Sequence, residues 1–353
     1  MEDLKRLLDI RYPIVQAPML GVTTPAMVAA ISNAGGLGSL PIGGLPPEKS
    51  SALIRETRAR TDKPFAVNLF AHKLESDDLE KEIQLMERYL EKLHQQYGLP
   101  FEHKPPADYR FFNHLDQIDL VLEEQVPIVS FTFGLLEPEV TRKLKKSGVT
   151  LIGTATSVEE AELLDKAEVD VIVAQGIEAG GHRGSFLEDE PLPQVGLISL
   201  LPQIVDKVFV PVIAAGGLFD FRTVSAAFVL GAAGAQLGSY FIAADESAAS
   251  EVYKERVLSS TDTSTELTRA FTGRWARGIR NSFMKQMQDS GLSIPNYPLQ
   301  NSLTAALRDY GKSNGIADIM SLWAGQSASQ SRRGSTEALF RQLIDRLQME
   351  LSG

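Results

Sequence analysis

The sequence predicts an α/β chain folded as a (β/α)8 TIM barrel, with a helical insertion after strand 3 and a C-terminal helical lid. Three observations predict it. From residue 14 to about 242, short apolar runs rich in Val, Ile and Ala alternate with helix-like segments, the pattern of βα units around a parallel sheet. These runs number eight. One after another they end in a polar or glycine-rich stretch, at the strand end where barrels keep their active face.

The strand candidates are 14–18, 37–40, 65–70, 128–134, 150–156, 169–176, 210–217 and 235–242. They read as continuous apolar runs because both faces of a barrel strand are covered. A doubly wound open sheet is the competing topology; the count and the polar strand ends favour the barrel. Between the strands, helices are expected at 24–34 with Thr24 as N-cap, at 137–148 closed by Gly148, at 157–167 opened by Ser157, and at 220–231 opened by Asp220. The connection 71–127 is much longer than the rest. Leu79, Ile83, Met86, Leu90 and Leu93 fall there at spacings of three and four, the stripe of a helix that buries one face. It is expected to dock on the barrel or on another copy of the chain, so a homo-oligomer stays open. After residue 245 the pattern turns helical, ending in a helix with Leu339, Phe340, Leu343, Ile344, Leu347 and Leu351 on one face. The chain therefore divides into a barrel over 1–245 and a cap over 246–353, packed across the barrel mouth.

Composition narrows the chemistry. Against 45 acidic residues stand 35 Lys and Arg, a net charge of −10 spread along the chain, so neither a nucleic-acid footprint nor a polybasic membrane patch is present. Cysteine is absent, which rules out disulfides, thiolate catalysis and Cys-ligated metal. No apolar run approaches a membrane span and the first residues are not a secretory signal, so a cytoplasmic location is expected. His72, His94, His103 and His114 all lie in the polar insertion without metal-ligand spacing; they are expected to be solvated, and no metal is predicted.

Candidate chemistry gathers at three consecutive strand ends. Gly176, Gly180, Gly181 and Gly184 strip side chains from the turn after the sixth strand; Gly216 and Gly217 do so after the seventh, and Gly238 with Ser239 in the eighth. Bare backbone lets N–H groups approach a flat or anionic ligand, and a phosphate-bearing cofactor fits three such turns better than tight turns alone. Gln16, Asn68, Gln175 and Gln236 interrupt apolar strands. Converging, such amides would read the donor and acceptor edge of a heteroaromatic ring; paired with neighbouring strands, they would be structural. No GxGxxG follows the first strand, which disfavours a Rossmann-type dinucleotide site. His182 alone among the histidines stands at a strand end, in EAGGHRG (178–184), as the catalytic candidate. Arg183 would neutralise a phosphate or pair with Glu178 or Glu188.

The runs PIVQAPMLGVTTPAMVAAISNAGGLGSL (13–40), VNLF (67–70), VSFTFG (129–134), QGIEAGGHRG (175–184), PVIAAGGLFD (211–220) and GAQLGSYF (234–241) occur in order. In them the chain resembles the FMN-dependent nitronate monooxygenases, formerly called 2-nitropropane dioxygenases. The resemblance is close over about residues 10–245 and looser beyond. It implies FMN as cofactor, with Asn68, Gln175, Gly180, Gly217, Gln236, Leu237, Gly238 and Ser239 at the flavin contacts and Met19 beside the ring. Gly181 belongs to the same turn, and His182 matches the active-site histidine. The implied reaction converts an alkyl nitronate, propionate 3-nitronate being the substrate of interest, and dioxygen to a carbonyl compound and nitrite without a nicotinamide. Two rivals remain: a flavin-dependent enoyl-acyl carrier protein reductase using NAD(P)H, which shares the barrel and a Gly-Gly-His segment, and a non-catalytic flavin-binding sensor.

Overall fold

A computed structural model describes residues 1–72, 80–103, 111–187 and 192–351. In chain order the strands are β1 (Ile14–Gln16), β2 (Gly38–Pro41), β3 (Phe65–Phe70), β4 (Ile128–Thr132), β5 (Thr150–Ala155), β6 (Val171–Gln175), the two-residue β7 (Gly181–His182), β8 (Val212–Ala215), β9 (Gly234–Leu237), β10 (Thr265–Thr268) and β11 (Ala276–Ile279). All but β7, β10 and β11 form one parallel sheet in the order β1-β9-β8-β6-β5-β4-β3-β2. Its edges meet where Gln16 N donates to Leu37 O and Leu37 N to Ile14 O, each at 2.9 Å, so the sheet closes into the expected barrel.

Alternation along the strands separates two apolar layers. Val15, Ala66, Ile128, Ile152, Val173 and Ile213 pack in the cluster that also holds Leu4 and Leu8 of the N-terminal helix Glu2–Leu8. Their neighbours Ile14, Val67, Val129, Leu151, Ile172 and Val212 belong instead to the larger core shared with the surrounding helices. Three of those helices are capped as the sequence predicts. Thr24 Oγ1 accepts from Met27 N at 3.1 Å, Ser157 Oγ from Glu160 N at 3.2 Å, and Asp220 forms a capping box with Thr223.

The last helix differs from expectation. Thr336–Leu351 lies on the barrel wall against helices Pro25–Asn33 and Phe221–Val229, with Leu339, Phe340, Leu343, Ile344 and Leu347 in the main core. It fills the place of the eighth barrel helix, so it is not part of a cap over the mouth. An amphipathic stripe shows that one face is buried but not what covers it.

The cap also differs. Strands β10 and β11 pair antiparallel, and β11 pairs with β7, giving a three-stranded sheet in a region expected to be helical. The insertion helix Glu80–Gln96 docks on this C-terminal lobe: Met86, Leu90 and Leu93 pack with Phe271, Phe283, Met287 and Leu307, and Tyr89 OH donates to Gln286 O at 2.8 Å. Leu79 lies outside the described residues. Three histidines of the insertion correct their expected solvation, being buried at 5% (His72), 2% (His94) and 3% (His114) exposure. His94 Nδ1 lies 2.9 Å from Pro100 O and His114 Nε2 2.7 Å from Glu137 Oε2, partners that a polar composition does not reveal. Among the described residues no cluster of three or more His, Asp or Glu could hold a metal ion, and no helix is long and apolar enough to cross a membrane.

Candidate functional site

A cavity of about 420 Å³ opens at the carboxyl ends of the barrel strands, within the range of about 300–1,000 Å³ typical of ligand pockets. Met19, Asn68, Gln175, Gly180, Gly181, His182, Gly217, Gln236, Gly238 and Ser239 all line it. Leu237 does not, and neither does Gln16. Period-two alternation explains the division. Asn68, Gln175 and Gln236 share the parity of the inward residues Ala66 and Val173 and of Gly234, whereas Gln16 and Leu237 follow the inward Val15 and Gln236 and so point outward. Leu237 is accordingly fully buried in the outer core. Gln16 is equally buried; its Nε2 donates to Thr23 Oγ1 at 2.9 Å and its Oε1 accepts from Ser39 N at 3.3 Å, a structural amide.

The three inward amides are not equally committed. Gln175 Nε2 donates to His182 O at 3.0 Å, while its Oε1 accepts from Arg183 Nη1 at 3.1 Å and Gly184 N at 2.9 Å. Asn68 Nδ2 donates to Ser130 Oγ at 3.0 Å. The side chain of Gln236, half-buried at the cavity, has no hydrogen-bond partner among the described residues, so both ends of its amide are available to a ligand. Close by, the N–H groups of Gly217, Gly238 and Ser239 donate to no backbone acceptor among the described residues. Left-handed backbone at Gly217 (φ 71°) bends the turn after β8 into this position. An amide edge and a bare N–H cluster at adjacent strand ends together suit a ring bearing a phosphate.

His182 is held from the cap. In β7 it pairs with Ala276 of β11, and its Nε2 lies 2.9 Å from Thr272 Oγ1. Phe133 and Trp323 flank the imidazole, each ring centroid 5.6 Å away. Nδ1 makes no hydrogen bond among the described residues and is not a buried atom, so it is the nitrogen open to a ligand. Burial, reinforced by the positive charges of Arg274 and Arg308, lowers the pKa from 6.5 to about 3. The shift favours the neutral ring near neutral pH. For a histidine depressed in this way the neutral form is lost only as pH falls toward 3, so turnover at this site is expected to show no histidine step at 6.5. A pH–rate profile checks this; an acid limb centred there would show that His182 titrates normally.

Of the two acids expected to pair with Arg183, Glu178 does not. Nearly fully buried, Arg183 donates through Nη1 to Gln175 O at 3.0 Å, Gln175 Oε1 at 3.1 Å and Gly176 O at 2.8 Å, clamping the end of β6. Glu178 turns instead to Leu197 N, at 2.9 and 3.0 Å from its two carboxylate oxygens, and Glu188 lies outside the described residues.

Several cavity residues escaped sequence reasoning. Thr272, Tyr297, Arg308, Trp323, Gly325 and Ser327 all come from the C-terminal lobe. The segment 323–327 stitches that lobe to the barrel: Gly325 N donates to Ser239 Oγ at 2.9 Å, Gln326 N to Glu178 O at 3.0 Å and Ser327 Oγ to Gly217 O at 3.2 Å. A lone AGQS after Trp323 was the available signal, but it has no strand or helix period to interpret.

The family profile described as "Nitronate monooxygenase" matches residues 1–346. A probable nitronate monooxygenase of Staphylococcus saprophyticus is 43% identical over 342 residues, 96% of this chain and 95% of the relative. One from Staphylococcus aureus is 41% identical, over 98% and 96%. Among solved structures, nitroalkane oxidase from Streptomyces ansochromogenes superposes with a TM-score of 0.91 at 34% identity over 99% of both chains. FabK from Thermotoga maritima is also similar, with a TM-score of 0.77 at 27% identity over 99% of this chain and 97% of its own.

Proposed function

This chain belongs to the nitronate monooxygenase family, and from that premise we propose that it is an FMN-dependent enzyme oxidising alkyl nitronates, propionate 3-nitronate among them, with dioxygen to a carbonyl compound and nitrite. The observation that carries this reading is the pairing of one neutral imidazole, its Nδ1 open, with uncommitted ring-reading and phosphate-reading groups in a single cavity.

Bound FMN would supply the electron chemistry. Asn68, Gln175 and Gln236 would read its ring edge, Gly217, Gly238 and Ser239 would hold its phosphate, and Met19 and Gly180 would lie beside the ring; all of them line the cavity. The protein's own share is binding, orientation and exclusion of water by the roof that Trp323 and Tyr297 help to form. His182 Nδ1 is placed to hydrogen-bond a nitro oxygen of the substrate. A base with a pKa of about 3 is too weak to take an α-proton near neutrality, so the proton balance favours a substrate that arrives already as the nitronate over its parent nitroalkane.

The purified protein is expected to be yellow and to release FMN, not FAD, on denaturation. Mixed anaerobically, it should be bleached by a nitronate and not by NADPH. Bleaching by NADPH alone would move the chain to the enoyl reductase reading, toward which the FabK likeness points.

A further inference from the structure

The cavity wall carries a half-buried guanidinium to which the sequence assigns no role. Arg308, in the helix Ala305–Asn314, lines the cavity with Tyr297 and Asn301. Its Nε donates to Thr304 Oγ1 at 3.1 Å, and its Nη2 to Asn301 O at 2.6 Å and Asn301 Oδ1 at 2.9 Å. These acceptors are all uncharged. Nη1 takes none of the bonds and is not a buried atom, so a rigidly pinned cation keeps its remaining N–H donors available.

The other charged groups nearby do not compete for that part. Glu178 is bound to Leu197 N, and Asp309 and Lys312 are exposed at the rim, where water screens them. Arg274 stacks on Phe133, 4.2 Å from the ring centroid, and does not line the cavity. His182 contributes no charge, and the charges acting on it, from Arg274 and Arg308, are both positive. Among the described residues that line the cavity, Arg308 is thus the one half-buried, preorganised cation that an anion beside the imidazole meets, Lys312 being exposed. Desolvation lowers the Arg308 pKa to about 10, which leaves it charged at neutrality.

We propose that Arg308 anchors the anionic nitro group of the substrate through Nη1 and is the residue that selects a nitronate over the neutral nitroalkane. This rests on the nitronate reading of the site. The free N–H groups of Nη1 are charge-assisted donors for the nitro oxygens, and bonds of this kind exceed neutral ones about twofold in strength.

Nitrate, a planar monoanion with the same O–N–O edge, tests the anchor without turnover. Calorimetric titration of nitrate into the flavin-loaded protein is expected to show binding that Arg308→Gln weakens at least about tenfold and Arg308→Lys largely restores. In kinetics, Arg308→Gln should raise KM for the nitronate by a similar factor and change kcat by less than about threefold, while the dissociation constant of the parent nitroalkane, read by calorimetry, and the flavin content stay unchanged. Nitrate affinity within about twofold of wild type in Arg308→Gln overturns the proposal, as does equal impairment of the Lys and Gln variants, which would mark a packing role. Should nitrate bind through Arg308 while the wild type leaves nitronates unoxidised, the anchor stands and the proposed reaction falls.

Discussion

His182→Asn is expected to lower nitronate turnover by at least about 100-fold while flavin stays bound at wild-type stoichiometry. Asparagine can place an amide near the position of Nδ1, but it is too short to keep the contact with Thr272, whose Oγ1 lies 2.9 Å from Nε2. The variant thus loses both the fixed orientation and the imidazole, while no side-chain contact assigned to the flavin is touched. Steady-state oxygen consumption with a preformed nitronate, together with the visible flavin spectrum, separates the two effects. Full activity with bound flavin would remove His182 from the chemistry; loss of both together would make it a structural residue of the flavin site.

The second large effect is expected at a glycine. A Cβ on Gly180 would lie 2.4 Å from Gly325 N and 2.5 Å from Ala324 C, both backbone atoms that cannot swing aside. Gly180→Ala must therefore push segment 323–327 away from the barrel and strain its bonds to Ser239 and Glu178. Overpacking of this kind costs about 1–3 kcal/mol. It should lower the thermal midpoint and weaken flavin binding at least about tenfold, because Ser239 belongs to the N–H cluster after β9. Fluorescence titration of the apoprotein with flavin and a melting curve measure both. An unchanged midpoint and affinity would mean that the stitch is looser than its geometry. Gly181, with φ 74° and nothing within 4 Å of its Cβ position, is constrained instead by its backbone conformation, so the two adjacent glycines serve different needs.

Much of the barrel was legible because its signals are local. Each strand announces itself as a short Val- and Ile-rich run and each helix by a cap two or three residues from the group it satisfies, as with Thr24 and Ser157. The glycine-bare turns and His182 could be read in the same way, and the cavity brings them together. Parity was another matter. Both faces of a barrel strand are apolar, so the sequence offers no hydrophobic alternation to say whether Gln16 or Gln236 faces inward. The closed ring decides it, by fixing the register of β1 against β9 so that Val15 meets Gln236 and Gln16 meets Leu237.

The roof was the least legible part. Its contacts join residues far apart in the chain: 90 positions separate His182 from Thr272, and 197 separate Tyr89 from Gln286. No window of local periodicity spans such distances. The sequence by itself determined a barrel of eight strands, three turns stripped of side chains and one imidazole at their centre. Only the tertiary structure decided that the insertion docks on the C-terminal lobe, that this lobe supplies one wall of the cavity, that the last helix returns to the barrel wall, and that burial and two arginines lower the pKa of the imidazole. The physical reason is that backbone propensity and turn chemistry act over a few residues, whereas burial and electric field are summed over whatever the fold brings near.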